Sequence, residues 1–128
     1  GHQLDGLGAV IVNRQVLKAS GCAIIDNFVI NSGFGAIHNL RDANLSLTRC
    51  TLAGNRTIHG SGGSLHDSGG IVVMRRCTLS GNTAGVEGGA VYCAGAAEFH
   101  ECTLSGNGAT TGGGIMARPI SATTLPVR

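Results

Sequence analysis

The hexapeptide CTLSGN stands at 77–82 and again at 102–107, CTLAGN stands at 50–55, and a degenerate copy, CAIIDN, occupies 22–27. Successive copies lie 28, 27 and 25 residues apart. Self-similarity at a period of this size marks repeat architectures, in which each copy is one unit unable to bury its apolar face alone. The same residue must therefore meet the same surroundings once per copy. That requirement excludes most folds before any composition is weighed.

Aligning the copies gives further columns. Positions −5 and −3 from each cysteine read Leu17/Ala19, Leu45/Leu47, Val72/Met74 and Ala97/Phe99. After each asparagine of the hexapeptide comes a glycine–small–aliphatic triplet: 35–37, 63–65, 89–91 and 113–115, with another at 8–10. Each period thus carries three short apolar segments, separated by Gly, Asn, Ser and Thr. Alternation at period two is the strand signal. Glycine and β-branched residues interrupt every window long enough for a helix. Parallel stacking of equivalent strands, ~4.8 Å apart, satisfies every copy at once. The expected fold is an all-β solenoid of about four to five coils, 25–28 residues each, with three short strands per coil. It forms a single domain over 1–128, with repeat coils over roughly 8–116 and a degenerate C-terminal end at 117–128.

Composition agrees. The chain has 42% apolar residues, 22 glycines and two prolines, which suits a turn-dense β chain with a continuous core. A net charge of +2, with no basic run longer than Arg75-Arg76, argues against nucleic acid as a partner. No apolar stretch approaches the length of a membrane-spanning helix.

In this arrangement Cys22, Cys50, Cys77 and Cys102 stack with Ile24, Leu52, Leu79 and Leu104 inside the coil. Three readings of the cysteine column stand: reduced thiols acting as small hydrophobes, disulfides between neighbours, or a metal site. Parallel Cβ vectors disfavour the second, and the lack of a C-x-x-C pair disfavours the third. Cys93 lies outside this column and reads as a free thiol. Asn27, Asn55, Asn82 and Asn107 form a second column, expected to hydrogen-bond from coil to coil at a sharp bend, where asparagine and the glycine before it tolerate left-handed backbone. Sequons at 44–46 and 55–57 suggest glycosylation, though Asn55 belongs to the ladder column.

These motifs resemble right-handed parallel β-helix proteins of the pectate-lyase-like kind, and most of all bacterial and chlamydial surface proteins with paired GGA[ILV] and FxxN motifs. GGAV at 88–91 matches the first motif, and LSGN at 79–82 and 104–107 is similar to the second, with Leu in place of Phe. The resemblance implies right-handed coiling and a secreted or cell-surface location. It leaves activity open, because this scaffold hosts lyases, hydrolases, epimerases and adhesins.

No acidic cluster of the lyase type stands out. Asp5, Asp26, Asp42, Asp67, Glu87, Glu98 and Glu101 fall in different columns, and nothing in the spacing selects the pair Asp67 and Glu98. The reading therefore assigns no catalytic residue, cofactor or metal. A better candidate surface is the file expected after the glycine triplets: Ile11, His38, His66, Tyr92 and Met116. His38 and His66 on adjacent coils could share a metal with Asp67 or Asn39, but two ligands without a firm third rarely suffice. A cross-coil ion pair between Arg76 and Glu101 is expected at the surface.

The ends complete the expectation. Pro119 and Pro126 discourage pairing after 117. Surplus apolar residues in the first coil (Phe28, Val29, Ile30, Phe34) point to end-to-end self-association there, or to excision from a longer chain. The leading function is a non-catalytic β-helix module of a secreted or surface protein, structural, adhesive or carbohydrate-contacting. The alternative is a small polysaccharide-active enzyme of the same fold.

Overall fold

The computed structural model describes residues 3–5, 11–30, 35–111, 114–117 and 120–122. Phe34 and the side chain of Ile30 lie outside the described set, as do Gly8-Ala9-Val10 and Pro126. The described chain is a parallel β-solenoid with no helix. Four sheets run along it, three of five strands and one of four, and every strand pairs with its counterpart one coil away.

Three of these sheets coincide with the apolar columns. The triplet sheet holds Ile11–Asn13, Ile37–Asn39, Leu65–Asp67, Val91–Cys93 and Ile115–Ala117. The pre-cysteine sheet holds Val16–Ser20, Asn44–Thr48, Ile71–Arg75, Ala96–His100 and Ile120–Ala122. The post-cysteine sheet holds Ala23–Ile25, Thr51–Ala53, Thr78–Ser80 and Thr103–Ser105. The fourth was not expected. This asparagine sheet follows the Asn column: Gln3–Asp5, Phe28–Ile30, Arg56–Thr57, Thr83–Glu87 and Gly108–Thr111. Each coil therefore has four strands rather than three. Sheet pairing also continues past Pro119, since Ile120–Ala122 pairs with Ala97–Phe99.

Inward positions alternate with outward ones and meet at the axis. Leu45, Leu47, Leu52, Leu65, Val72, Met74, Leu79, Val91, Phe99 and Leu104 are all at most 1% exposed. Full burial of such a side chain contributes about 1.5–3 kcal/mol, so this file supplies the drive for coiling.

Two corners of one design turn the chain from the pre-cysteine to the post-cysteine sheet and on to the asparagine sheet. Each is a residue in the left-handed region followed by an inward polar or small side chain. Before the cysteines stand Gly21, Arg49, Arg76 and Glu101, with φ of 65°, 52°, 54° and 54°; before the asparagines stand Asp26, Gly54, Gly81 and Gly106, with φ of 55°, 64°, 62° and 65°. The asparagines themselves are not left-handed. Their task is inside the corner, while the preceding residue makes the bend.

Candidate functional site

The asparagine column forms a hydrogen-bonded file along the axis. Nδ2 of Asn27 donates to Oδ1 of Asn55 at 2.9 Å, Asn55 to Asn82 at 3.1 Å, and Asn82 to Asn107 at 3.0 Å. The backbone N–H of each donor residue adds a bond to the same oxygen, at 3.1, 3.0 and 2.9 Å. The second amide proton goes to a core-strand carbonyl: Asn55 to Ile24, Asn82 to Leu52 and Asn107 to Leu79. Asn55 is wholly buried, which removes it as a glycan acceptor in the folded chain.

The cysteines of the column are free thiols. Cys50, Cys77 and Cys102 are buried, and each donates to a carbonyl of the coil before it: Ala19 at 3.7 Å, Leu47 at 3.4 Å and Met74 at 3.4 Å. The thiol of Cys102 and then burial push Cys77 well above the ordinary thiol range. Cys22 departs from the expected inward stack. It is exposed, because it belongs to the outermost of these coils and no described coil covers it.

A second polar file, not anticipated, closes the triplet sheet. Asn13, Asn39, Asp67 and Cys93 occupy equivalent positions in register. Asn13 donates to Oδ1 of Asn39 at 2.8 Å, and Asn39 donates to Oδ1 of Asp67 at 2.8 Å. Asp67 is 0% exposed, and its oxygens accept four further bonds, from the N–H groups of Gly69, Gly70 and Gly95 and from the Cys93 thiol. Such a set of donors offsets the desolvation of a carboxyl group that no cation among the described residues approaches. Burial, and then the Asp67 charge, push Cys93 up to about 12, so this thiol is a donor rather than a nucleophile.

On the outer side of the same sheet run His38, His66 and Tyr92. Val12 precedes them in register, and Ile11 instead pairs with Ile37, one residue from the expected alignment. The His66 ring lies against Tyr92, with centroids 4.8 Å apart and planes 22° apart, and meets His38 edge-on at 5.5 Å. Nδ1 of His66 stands 3.1 Å from the Ser61 carbonyl, which can only accept, so this nitrogen carries the proton. Nε2 of His38 contacts Oγ of Ser68 at 2.8 Å. His38 is 7% exposed, so the file is a half-covered ridge rather than a row of open imidazoles. Burial, and then the neighbouring imidazole, bring His38 down to about 4, and burial likewise lowers His66.

Strand alternation settles two other candidates geometrically. Asp67 and Asn39 point inward while His38 and His66 point outward, so neither can complete a metal site with the two rings. Among the described residues no group of three His, Cys, Asp or Glu could hold a metal ion. Asp67 and Glu98 lie on different sheets, the first sealed inside, the second half-exposed and 3.5 Å from His100. Arg76 and Glu101 do approach across coils, at 3.9 Å, with side chains 62% and 64% exposed. Such a pair is worth under about 1 kcal/mol.

Residues 76–94 fit the model of the Chlamydia polymorphic membrane protein repeat. This stretch runs from the left-handed Arg76 through the Cys77 and Asn82 corners to the GGAV triplet and Cys93, so it spans the two corners and the start of the next coil. Neither the curated proteins nor the solved structures gave a match. No helix among the described residues is long and apolar enough to cross a membrane.

Proposed function

We infer that this chain is a structural and adhesive β-helix module of a secreted or surface-exposed protein, offering its outward files to carbohydrate or protein partners. The observation that carries the reading is the repeat match over 76–94, lying on a solenoid whose polar ladders face inward and hold the scaffold. Asn27, Asn39, Asn55, Asn82, Asp67 and the buried cysteines are spent here on coil-to-coil bonding. What remains outside is a repetitive surface suited to contact. End-to-end association through the N-terminal coil belongs to the same reading; Phe28 there lies between Gln3 and Arg56 in the sheet, with the Arg56 guanidinium over its ring.

Two measurements test this. An antibody against the chain should stain intact expressing cells, and beads coated with the chain should adhere to a target cell layer. Staining that appears only after permeabilisation would overturn the location, and turnover of any polysaccharide that is abolished by replacing one outward carboxylate would overturn the non-catalytic reading.

A further inference from the structure

The corner between the pre-cysteine and post-cysteine sheets carries an anomaly. At the equivalent corner before the asparagines, three of four coils place glycine at the left-handed residue. At this corner glycine occurs once, at Gly21, and the next coils place Arg49, Arg76 and Glu101 there at φ of 52–54°. A side chain with a Cβ is disfavoured in that conformation, and at an exposed position no packing compensates. The fold has a glycine solution, used at Gly21, and the three later coils do not use it.

These residues line a cleft of about 220 Å³ with Thr48, Arg75 and His100. Two files run side by side through it. One is the left-handed file; the other is the last outward position of the pre-cysteine sheet, where Thr48, Arg75 and His100 are in register. Three arginines, Arg49, Arg75 and Arg76, thus line one depression with the carboxylate of Glu101, while Glu98 stands beside it at His100. Coils repeat every ~4.8 Å, so Arg49 and Arg76, at equivalent corners of adjacent coils, are separated along the axis by about the advance of one sugar ring in an extended chain, with Arg75 beside Arg76 in the same coil. Arginine presents a planar fork that matches carboxylate and sulfate oxygens two at a time.

We propose that this corner cleft binds an acidic oligosaccharide, carboxylated or sulfated, through Arg49, Arg75 and Arg76, with the sugar chain lying parallel to the solenoid axis. The proposal rests on the carbohydrate-contacting reading above and names its ligand class. Glu101 limits the site at one end by engaging Arg76, and Gly21 leaves the other end without a side chain. A carbohydrate polymer fits better than a nucleic acid, because no Phe, Tyr or Trp lines the cleft to stack successive bases.

The test uses fluorescently tagged hexasaccharides: heparin-derived, oligogalacturonate and neutral cello-oligomer. The intact chain should bind both acidic probes, more weakly as salt rises, and leave the neutral one. Arg75→Gln, and the double change Arg49→Gly with Arg76→Gly, should each weaken binding tenfold or more. The double glycine variant should also melt at a higher temperature than the parent, a combination that a merely structural role for these arginines does not give. Glu101→Arg should tighten binding several-fold, and Arg14→Gln, in a different corner, should leave it unchanged. Equal binding by parent and double variant, an equal loss in Arg14→Gln, or equally tight binding of a single-stranded DNA of the same charge would each overturn the proposal. If cell staining and bead adhesion persist while no acidic probe binds, the cleft assignment falls and the adhesive module stands; loss of staining instead removes the reading beneath it.

Discussion

Asn82 shows what one side chain does in a stacked coil. Its Oδ1 accepts from the backbone and amide of Asn55, and its Nδ2 serves both Leu52 and Asn107. Asn82→Ala would strand buried groups on two neighbouring coils, each at about 1–3 kcal/mol. Allowing for partial relaxation, a loss of about 2–4 kcal/mol is expected. Asn44 is exposed at the start of its strand, so Asn44→Ala should change stability by less than about 0.5 kcal/mol. Urea denaturation of the two variants checks this, and equal small effects would mean the ladder is decoration. The cysteines give a second prediction at this scale. Cys22 is exposed, whereas Cys50, Cys77, Cys93 and Cys102 are buried. An aromatic disulfide reagent on the native chain should therefore titrate one thiol quickly and the other four at the rate of unfolding. Fast release of two or more equivalents would contradict the packing described. The reactivity follows exposure and thiolate character together, and both are unfavourable at Cys93.

Each sheet behaves as a unit, and the triplet sheet is the one that should respond to acid. His38 in the fold titrates near 4 against an ordinary 6.5, and His66 is shifted the same way. Between those limits the unfolded chain holds protons that the folded chain refuses, so stability is full above about pH 6.5 and declines as the pH falls toward 4. Melting temperature should drop across that window, and His38→Gln should flatten the profile there while leaving the neutral-pH value within a few degrees. A variant profile parallel to the parent would show that the ring is not the sensor. The sheets also differ in how legible they are in the sequence. The pre- and post-cysteine sheets could be read directly, because Leu45/Leu47, Val72/Met74 and the CTL strands repeat residue types wherever the core demands them. The asparagine sheet could not. Its strands read FVI, RT, TAGVE and GATT, vary from two to five residues, and share a backbone ladder rather than a side chain. The file Asn13–Asn39–Asp67–Cys93 was hidden for a related reason: chemically different residues fill one hydrogen-bonding position, so no letter recurs. That file also explains the one-residue error at Ile11. A bond of 2.8 Å between Asn13 and Asn39 holds the first strand in the observed alignment, which a reading of letters alone does not reveal. The strained arginines were invisible too, since the letters Arg49 and Arg76 carry no sign of a positive φ.

At the scale of the whole molecule, stability is a chain of neighbour contacts. A coil inside the stack is covered on both sides, whereas a coil at its edge is covered on one, so local stability should grade along the axis. The burial pattern already shows the gradient within this chain. Leu17 and Ala19 are half-buried, whereas their counterparts Leu45, Leu47, Val72 and Met74 are sealed. Hydrogen exchange should follow it: amides of Asn44–Thr48 and Ile71–Arg75 should exchange about tenfold or more slowly than those of Val16–Ser20. Side-chain truncation should give the same ordering independently. Leu79→Ala opens a cavity at the centre of the stack and should cost about 2–5 kcal/mol. Leu17→Ala removes a side chain that solvent already touches, and the rim can collapse around it, so a clearly smaller loss is expected. The two measurements report different things, exchange the opening of single coils and truncation the global transition. Agreement between them would establish that coils open from the rim inward. Uniform exchange along the chain, with Leu17→Ala as damaging as Leu79→Ala, would instead mean that the stack opens all at once and that the nearest-neighbour picture does not describe it.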